Sequence, residues 1–189
     1  MPSRKGIPAV LAACALAILL AITGCSSNSQ PSWASALGSG VTVVGPAHPA
    51  PGSGSPDAAV EGALSALGTR RYSSICAYVE PAVQAPCKIG MAQETSATAP
   101  TVKNVALGYA AIDGNEALVG TTGTICSRSP QPKCSSNSDP AALLSGGTSF
   151  AALWSQQTQP GRSNTLYQLA PCIEVDGHWY FYEPSLARF

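Results

Sequence analysis

The chain has 189 residues, of which only 11% are charged, with 10 Lys+Arg balanced by 10 Asp+Glu. No basic run or patch is present, which excludes an electrostatic nucleic-acid surface and a polybasic membrane segment. The length allows a leader followed by one domain with a sizeable core.

Arg4 and Lys5 open the chain, and the run from Leu11 to Ile22 is uncharged and rich in Leu, Ile and Ala. This is the layout of a secretory signal peptide. A retained transmembrane helix needs roughly 20 apolar residues; the run from Ile7 to Ile22 is shorter and contains Pro8. The leader closes on Ile22-Thr23-Gly24-Cys25. These four residues resemble the lipobox of bacterial lipoproteins: aliphatic, small or β-branched, Gly or Ala, then Cys. The resemblance implies that residues 1–24 are removed and that Cys25 becomes the mature N-terminus, acylated on sulfur. It also implies attachment to the cell membrane at its extracytoplasmic face. The residue types suit that chemistry, since acyl transfer needs a thiol and the peptidase needs small residues before it. Two or more acyl chains anchor stably where one is marginal. Loss of Arg4 and Lys5 leaves 8 Lys+Arg (10 − 2) against 10 Asp+Glu, a side-chain charge of −2.

Residues 25–56 read as the lipidated Cys and a flexible tether of Ser, Gly, Pro and Ala. Its large apolar groups include Trp33 and Val41-Thr42-Val43-Val44. Such a segment buries too little surface to offset its ordering entropy, and its Gly and Ser make it flexible. Its expected role is to hold the domain clear of the lipid. His48 lies between prolines with no partner for metal binding.

Residues 57–189 read as a single domain. Ser55-Pro56-Asp57 is a helix start, with Ser as N-cap, Pro at the first position and an acid in the first turn. Val60, Ala63, Leu64 and Leu67 keep helical spacing. Tyr72 to Val79 forms a second short helix, and Ala82 to Glu94 is helical in part, broken near Pro86 and Gly90. From Val102 the period changes to two. Val105, Leu107, Tyr109 and Ala111 alternate, Asp113-Gly114-Asn115 turns the chain, and Ala117 to Ile125 alternates back. Thr165 to Val175 is a further strand, in which Pro171 indicates an edge or a bulge. Asp176-Gly177 then turns into a last strand, His178 to Tyr182, with Trp179 and Phe181 on one face. The connection 127–162, rich in Ser, Pro and Gly, is a long insertion. Phe150 to Gln157 is one short element within it, of undecided type.

Five cysteines remain once Cys14 and Cys25 are set aside: Cys76, Cys87, Cys126, Cys134 and Cys172. An exported location favours disulfides. Short loops point to Cys76–Cys87 and Cys126–Cys134, leaving Cys172; pairing of Cys126 with Cys172 is the alternative. No Cys-x-x-Cys is present and the domain holds only one His, so neither zinc nor thioredoxin chemistry is expected, and no metal or cofactor is assigned. A nucleophilic Cys172 needs an activating base, for which His178 is the sole candidate.

Helices followed by an antiparallel sheet ending in Val175-Asp176-Gly177-His178-Trp179 resemble the NTF2-like (cystatin-like α+β) superfamily over about 57–183. The composition is also similar to that of proteins from GC-rich bacteria such as actinobacteria. The first resemblance implies an α+β fold with N-terminal helices packed on a twisted antiparallel sheet. It implies an apolar pocket too, for which Tyr109, Trp154, Tyr167, Trp179 and Phe181 are the candidate lining; for any one of them core is the favoured account, because aromatics dominate cores. Three functions follow. One is a binding module for a small apolar ligand or an envelope protein, without catalysis. The second is an isomerase or dehydratase, for which Glu174 with His178 is the best available acid–base pair. The third is a structural assembly factor that uses 127–162 as contact surface. Fold analogy does not choose among them.

Overall fold

The structure is a computed structural model and describes residues 30–95, 100–127, 133–159 and 168–182. It is an α+β arrangement built on an open, six-stranded antiparallel sheet with few helices. The strands are β1 (Thr42–Val44), β2 (Thr101–Asp113), β3 (Glu116–Ser127), β4 (Lys133–Asn137), β5 (Leu169–Val175) and β6 (His178–Phe181). Their order is β1-β2-β3-β5-β6, and β4 pairs with the far half of β3. The helices are α1 (Pro56–Gly68), α2 (Tyr72–Ile75), α3 (Gln84–Met91) and α4 (Phe150–Thr158), with 3₁₀ turns at Ser32–Leu37 and Pro81–Val83.

The local signals act as physical chemistry requires. Ser55 caps α1, its Oγ accepting from the Ala58 N–H at 3.1 Å, with Pro56 behind it in the first turn. Asp176 and Gly177 both adopt positive φ (52° and 76°), as a tight hairpin turn between β5 and β6 demands. Cys76–Cys87 ties α2 to α3, and Cys126–Cys134 staples opposed residues of β3 and β4. Cys172 is the buried free thiol. The undecided element in the insertion is helical, from Phe150 to Thr158, capped by Ser149.

Two buried clusters lie on the sheet. The first joins Ala59 and Val60 of α1 with Cys76, Val79, Val83 and Cys87, and with Leu107, Ala110, Ala117, Val119, Ala170, Cys172, Trp179 and Phe181 of the strands. The second joins Ala111, Leu118 and Leu169 with Ala34, Leu37, Val43, Leu144, Phe150 and Leu153. Leu118 and Val119 are sequence neighbours on one strand, so the two clusters occupy opposite faces.

The second cluster corrects the tether. Residues 30–44 are folded: Ser32–Leu37 is a 3₁₀ helix whose Ala34 and Leu37 are buried, and Val43 is buried on β1. A segment with few apolar groups gains enough burial when an existing sheet face supplies the partner surface. The described part of the insertion is likewise structured. Besides α4 it contains β4, a strand without apolar alternation, paired to β3 from Gly123 to Ser127.

Pro171 is neither on an edge strand nor at a bulge, because β5 is flanked by β3 and β6. Glu174 donates to Asn115 on the β3 side, so the odd-numbered amides of β5 point toward β6. The donor that Pro171 lacks would therefore face the spot where β6 has ended. Its carbonyl still accepts from the Tyr182 N–H at 2.8 Å.

The long hairpin is irregular in a way that alternation alone hides. The β2–β3 register shifts between Leu107 and Ala110. Leu107 and Ala110 consequently share the first cluster, while Tyr109 and Ala111 belong to the second. At this shift the Pro140 carbonyl accepts from the Tyr109 N–H at 3.1 Å. Only glycine permits that approach: a Cβ at Gly108 would lie 2.3 Å from the Pro140 oxygen.

The outer edges are blunted locally. On β1, the Gln30 side chain pairs with Val43 as a strand would, accepting from its N–H at 3.0 Å and donating to its carbonyl at 3.1 Å. On β6, Trp179 N–H donates to Ser53, Phe181 N–H donates to Tyr78, and the Phe181 carbonyl accepts from Glu80.

Candidate functional site

The four described aromatic candidates do not line one pocket. Trp179 and Phe181 are buried in the first cluster, on the α1 side. Tyr109 and Trp154 pack against the second, on the opposite face. There Trp33 meets Tyr109 edge-on at 5.3 Å, and Trp154 stacks between Phe150 and Tyr182. The register shift in β2 turns Tyr109 to that face, and Trp154 lies there because α4 packs against the second cluster. Tyr167 and the lipidation candidate Cys25 lie outside the described residues.

Glu174 and His178 are not brought together as an acid–base pair. Glu174 is opposite Trp179 and shares its face, whereas His178, the next residue along, points to the other. His178 is exposed and lies 3.2 Å from the Ser53 Oγ through its Nδ1. It is also remote from Cys172. Cys172 is opposite Phe181 and His178 is opposite Val175, three residues further, or roughly 10 Å along the strand.

A different titratable pair is gathered inside the domain, from Asp57 in the first turn of α1 and Cys172 on β5. Residues Pro56 to Val60 are all buried, so the first turn of α1 is enclosed on every side and not only along its periodic face. Asp57 is 6% exposed, and its Oδ1 is shut off from solvent without a hydrogen-bond partner among the described residues. Desolvation pushes its carboxyl up from 3.8 to about 6. The Cys172 thiol lies 3.8 Å from the Pro56 carbonyl. Burial, and then the neighbouring Asp57 carboxylate, raise it well above the ordinary thiol range. A thiol so raised stays protonated and is a poor nucleophile. Asp57 is by contrast a carboxyl poised near neutrality, the property of a general acid or base.

Sequence reasoning accounts for Asp57 as a first-turn acid favoured by the helix dipole and so passes over it. The available signal is the unbroken Pro56, Ala58, Ala59, Val60 around it, which leaves no solvent-facing position in that turn. Two neutral side-chain oxygens, Thr121 Oγ1 and Gln157 Oε1, are also buried without partners. Among the described residues no three His, Cys, Asp or Glu gather as a metal site, and no helix is long and apolar enough to cross a membrane. Compared with known proteins, the chain matches no family model, no curated protein sequence and no solved structure.

Proposed function

We propose that the chain is an exported lipoprotein, anchored through acylated Cys25 at the extracytoplasmic face of the cell membrane, whose NTF2-like domain acts by binding. The observation that carries a binding role is that the protein's own side chains fill both faces of the sheet. The ionisable groups within, Asp57 and Cys172, are shut away from solvent. Contact through the surface, with an envelope protein, then fits better than enclosure of a small apolar ligand. Two disulfides support an oxidising compartment. The lipobox residues Ile22 to Cys25 support the anchor.

Asp57 favours a second reading, an isomerase- or dehydratase-like acid–base enzyme. A substrate would need the first turn of α1 to move before it reached Oδ1, which places this reading behind the first. Native mass spectrometry of the detergent-extracted protein separates the cases. A stoichiometric protein partner is the expected result. A co-purifying small molecule of defined mass, lost in Asp57→Asn, would overturn the surface-binding account in favour of a ligand or substrate site.

A further inference from the structure

The two segments that cover the second face of the sheet share a property that the first face lacks. Residues 30–44, which hold the Ser32–Leu37 turn and β1, contain no Asp, Glu, Lys or Arg. Residues 140–159, which lead into and form α4, contain none either. The opposite side carries Glu61, Arg70, Arg71, Glu80, Lys88 and Glu94 on and around α1 to α3. Among the described residues, charge is therefore sorted between the two faces. Charged positions lie at the rim: Asp113 and Glu116, one step beyond the Thr42–Ile112 pair, and Asp139, just before Pro140.

Apolar groups show through the same layer. Leu143 before α4 is 37% exposed, and Trp33, Val41 and Trp154 are half-buried. Val44 is opposite Ala110 of the first cluster and so points to the other side, where Ile89 on α3 is also exposed among the described residues. An uncharged surface with protruding Trp, Val and Leu can approach lipid headgroups without stripping water from an ion. Trp is itself suited to the membrane–water boundary.

The chain also arrives at this face. Gln30 is fixed to β1 by its two hydrogen bonds to Val43. Only residues 26–29 separate it from Cys25, and five residue steps span at most about 18 Å. A leash of that length cannot hold the domain clear of the bilayer. It brings the β1 rim of the uncharged layer against the headgroups.

We propose that the uncharged layer formed by Ser32–Leu37, β1, the 140–149 segment and α4 is the membrane-apposed face of the domain. It lies on the lipid surface while the charged α1–α3 side faces away. This rests on acylation of Cys25, and it replaces a loose tether by a fixed orientation. The occupant is the bilayer itself, because the anchor ends at this rim and the layer has no charge with which to select a charged partner.

The test uses the full acylated chain in phosphatidylcholine vesicles that contain a headgroup-spin-labelled phosphatidylcholine. Single cysteines are introduced at exposed Ala36, Ala151 and Gln93 and labelled with bimane; Cys172 is buried and the other four domain cysteines are in disulfides, so the added thiol is the one that reacts. Labels at Ala36 and Ala151 should be quenched about twofold or more beyond the label at Gln93, as expected for groups within about 10 Å of the headgroup boundary. Equal quenching at the three positions, with the acyl mass present on Cys25, would overturn the orientation alone. Shielding of Ala36 and Ala151 from aqueous iodide without lipid quenching would mean that a protein or a second copy covers the face, and would overturn it as well. Absence of the acyl mass would overturn the lipoprotein reading and this inference together.

Discussion

Replacing Asp57 by Asn should stabilise the protein at neutral pH and leave it unchanged in acid. Burial raises the carboxyl from 3.8 to about 6, so the folded state holds a proton that the unfolded state has released. The folded state therefore binds more protons between these values, and stability falls as pH rises through that window. Multiplying the shift by 1.36 kcal/mol per unit gives about 3 kcal/mol lost by pH 7, which residual solvent contact reduces to about 1–3 kcal/mol. The helix dipole opposes this by favouring an anion in the first turn, but is worth only about 0.3–1 kcal/mol. Asn is nearly isosteric with the protonated acid and carries no charge to desolvate. Urea unfolding of both proteins at about pH 4 and about pH 7.5 measures the difference. Near pH 4 the two should agree closely, and at the higher pH Asp57→Asn should gain about 1–3 kcal/mol. A variant less stable than the parent at neutral pH would refute the reasoning, because the ionised carboxylate would then have a favourable partner.

Leu37→Ala should cost about 2–5 kcal/mol, as for a large core side chain, because Leu37 is 2% exposed on the sheet. A tether residue would change stability by less than about 0.5 kcal/mol, and thermal or urea unfolding distinguishes the two. Gly108→Ala should destabilise by about 1–3 kcal/mol through overpacking, since its Cβ meets the Pro140 carbonyl; hydrogen exchange at the Tyr109 amide should rise in parallel. Mild reductant followed by alkylation and peptide mapping should open Cys126–Cys134 first, because Cys134 is exposed whereas Cys76 and Cys87 are fully buried. Labelling of Cys76 and Cys87 before Cys126 and Cys134 would contradict that order.

What the sequence reveals depends on whether a segment carries its own cause. Ser55-Pro56 supplies a cap and a preset φ, and Asp176-Gly177 tolerates positive φ, so α1 and the last hairpin are legible without any neighbour. The loop lengths between Cys76 and Cys87 and between Cys126 and Cys134 likewise favour the pairs found. Residues 30–44 are different. Their few apolar groups matter only because Ala111, Leu118 and Leu169 present a face to them. Strand β4, Lys-Cys-Ser-Ser-Asn, has no hydrophobic alternation and exists through its ladder to β3. Two things divide the pocket residues: the shift at Gly108 reverses the alternation between Leu107 and Tyr109, and α4 carries Trp154 onto the other face. Asp57 was hidden by a sufficient but incomplete explanation, since the dipole accounts for an acid there and only tertiary packing shows the acid to be enclosed.

The most direct test of the whole account is the intact and peptide mass of the membrane-extracted protein under non-reducing conditions. The account predicts an N-terminus at Cys25 bearing acyl chains, intact Cys76–Cys87 and Cys126–Cys134 bonds, and Cys172 as a free thiol. An unmodified N-terminus at another position, or Cys172 found in a disulfide, would contradict it.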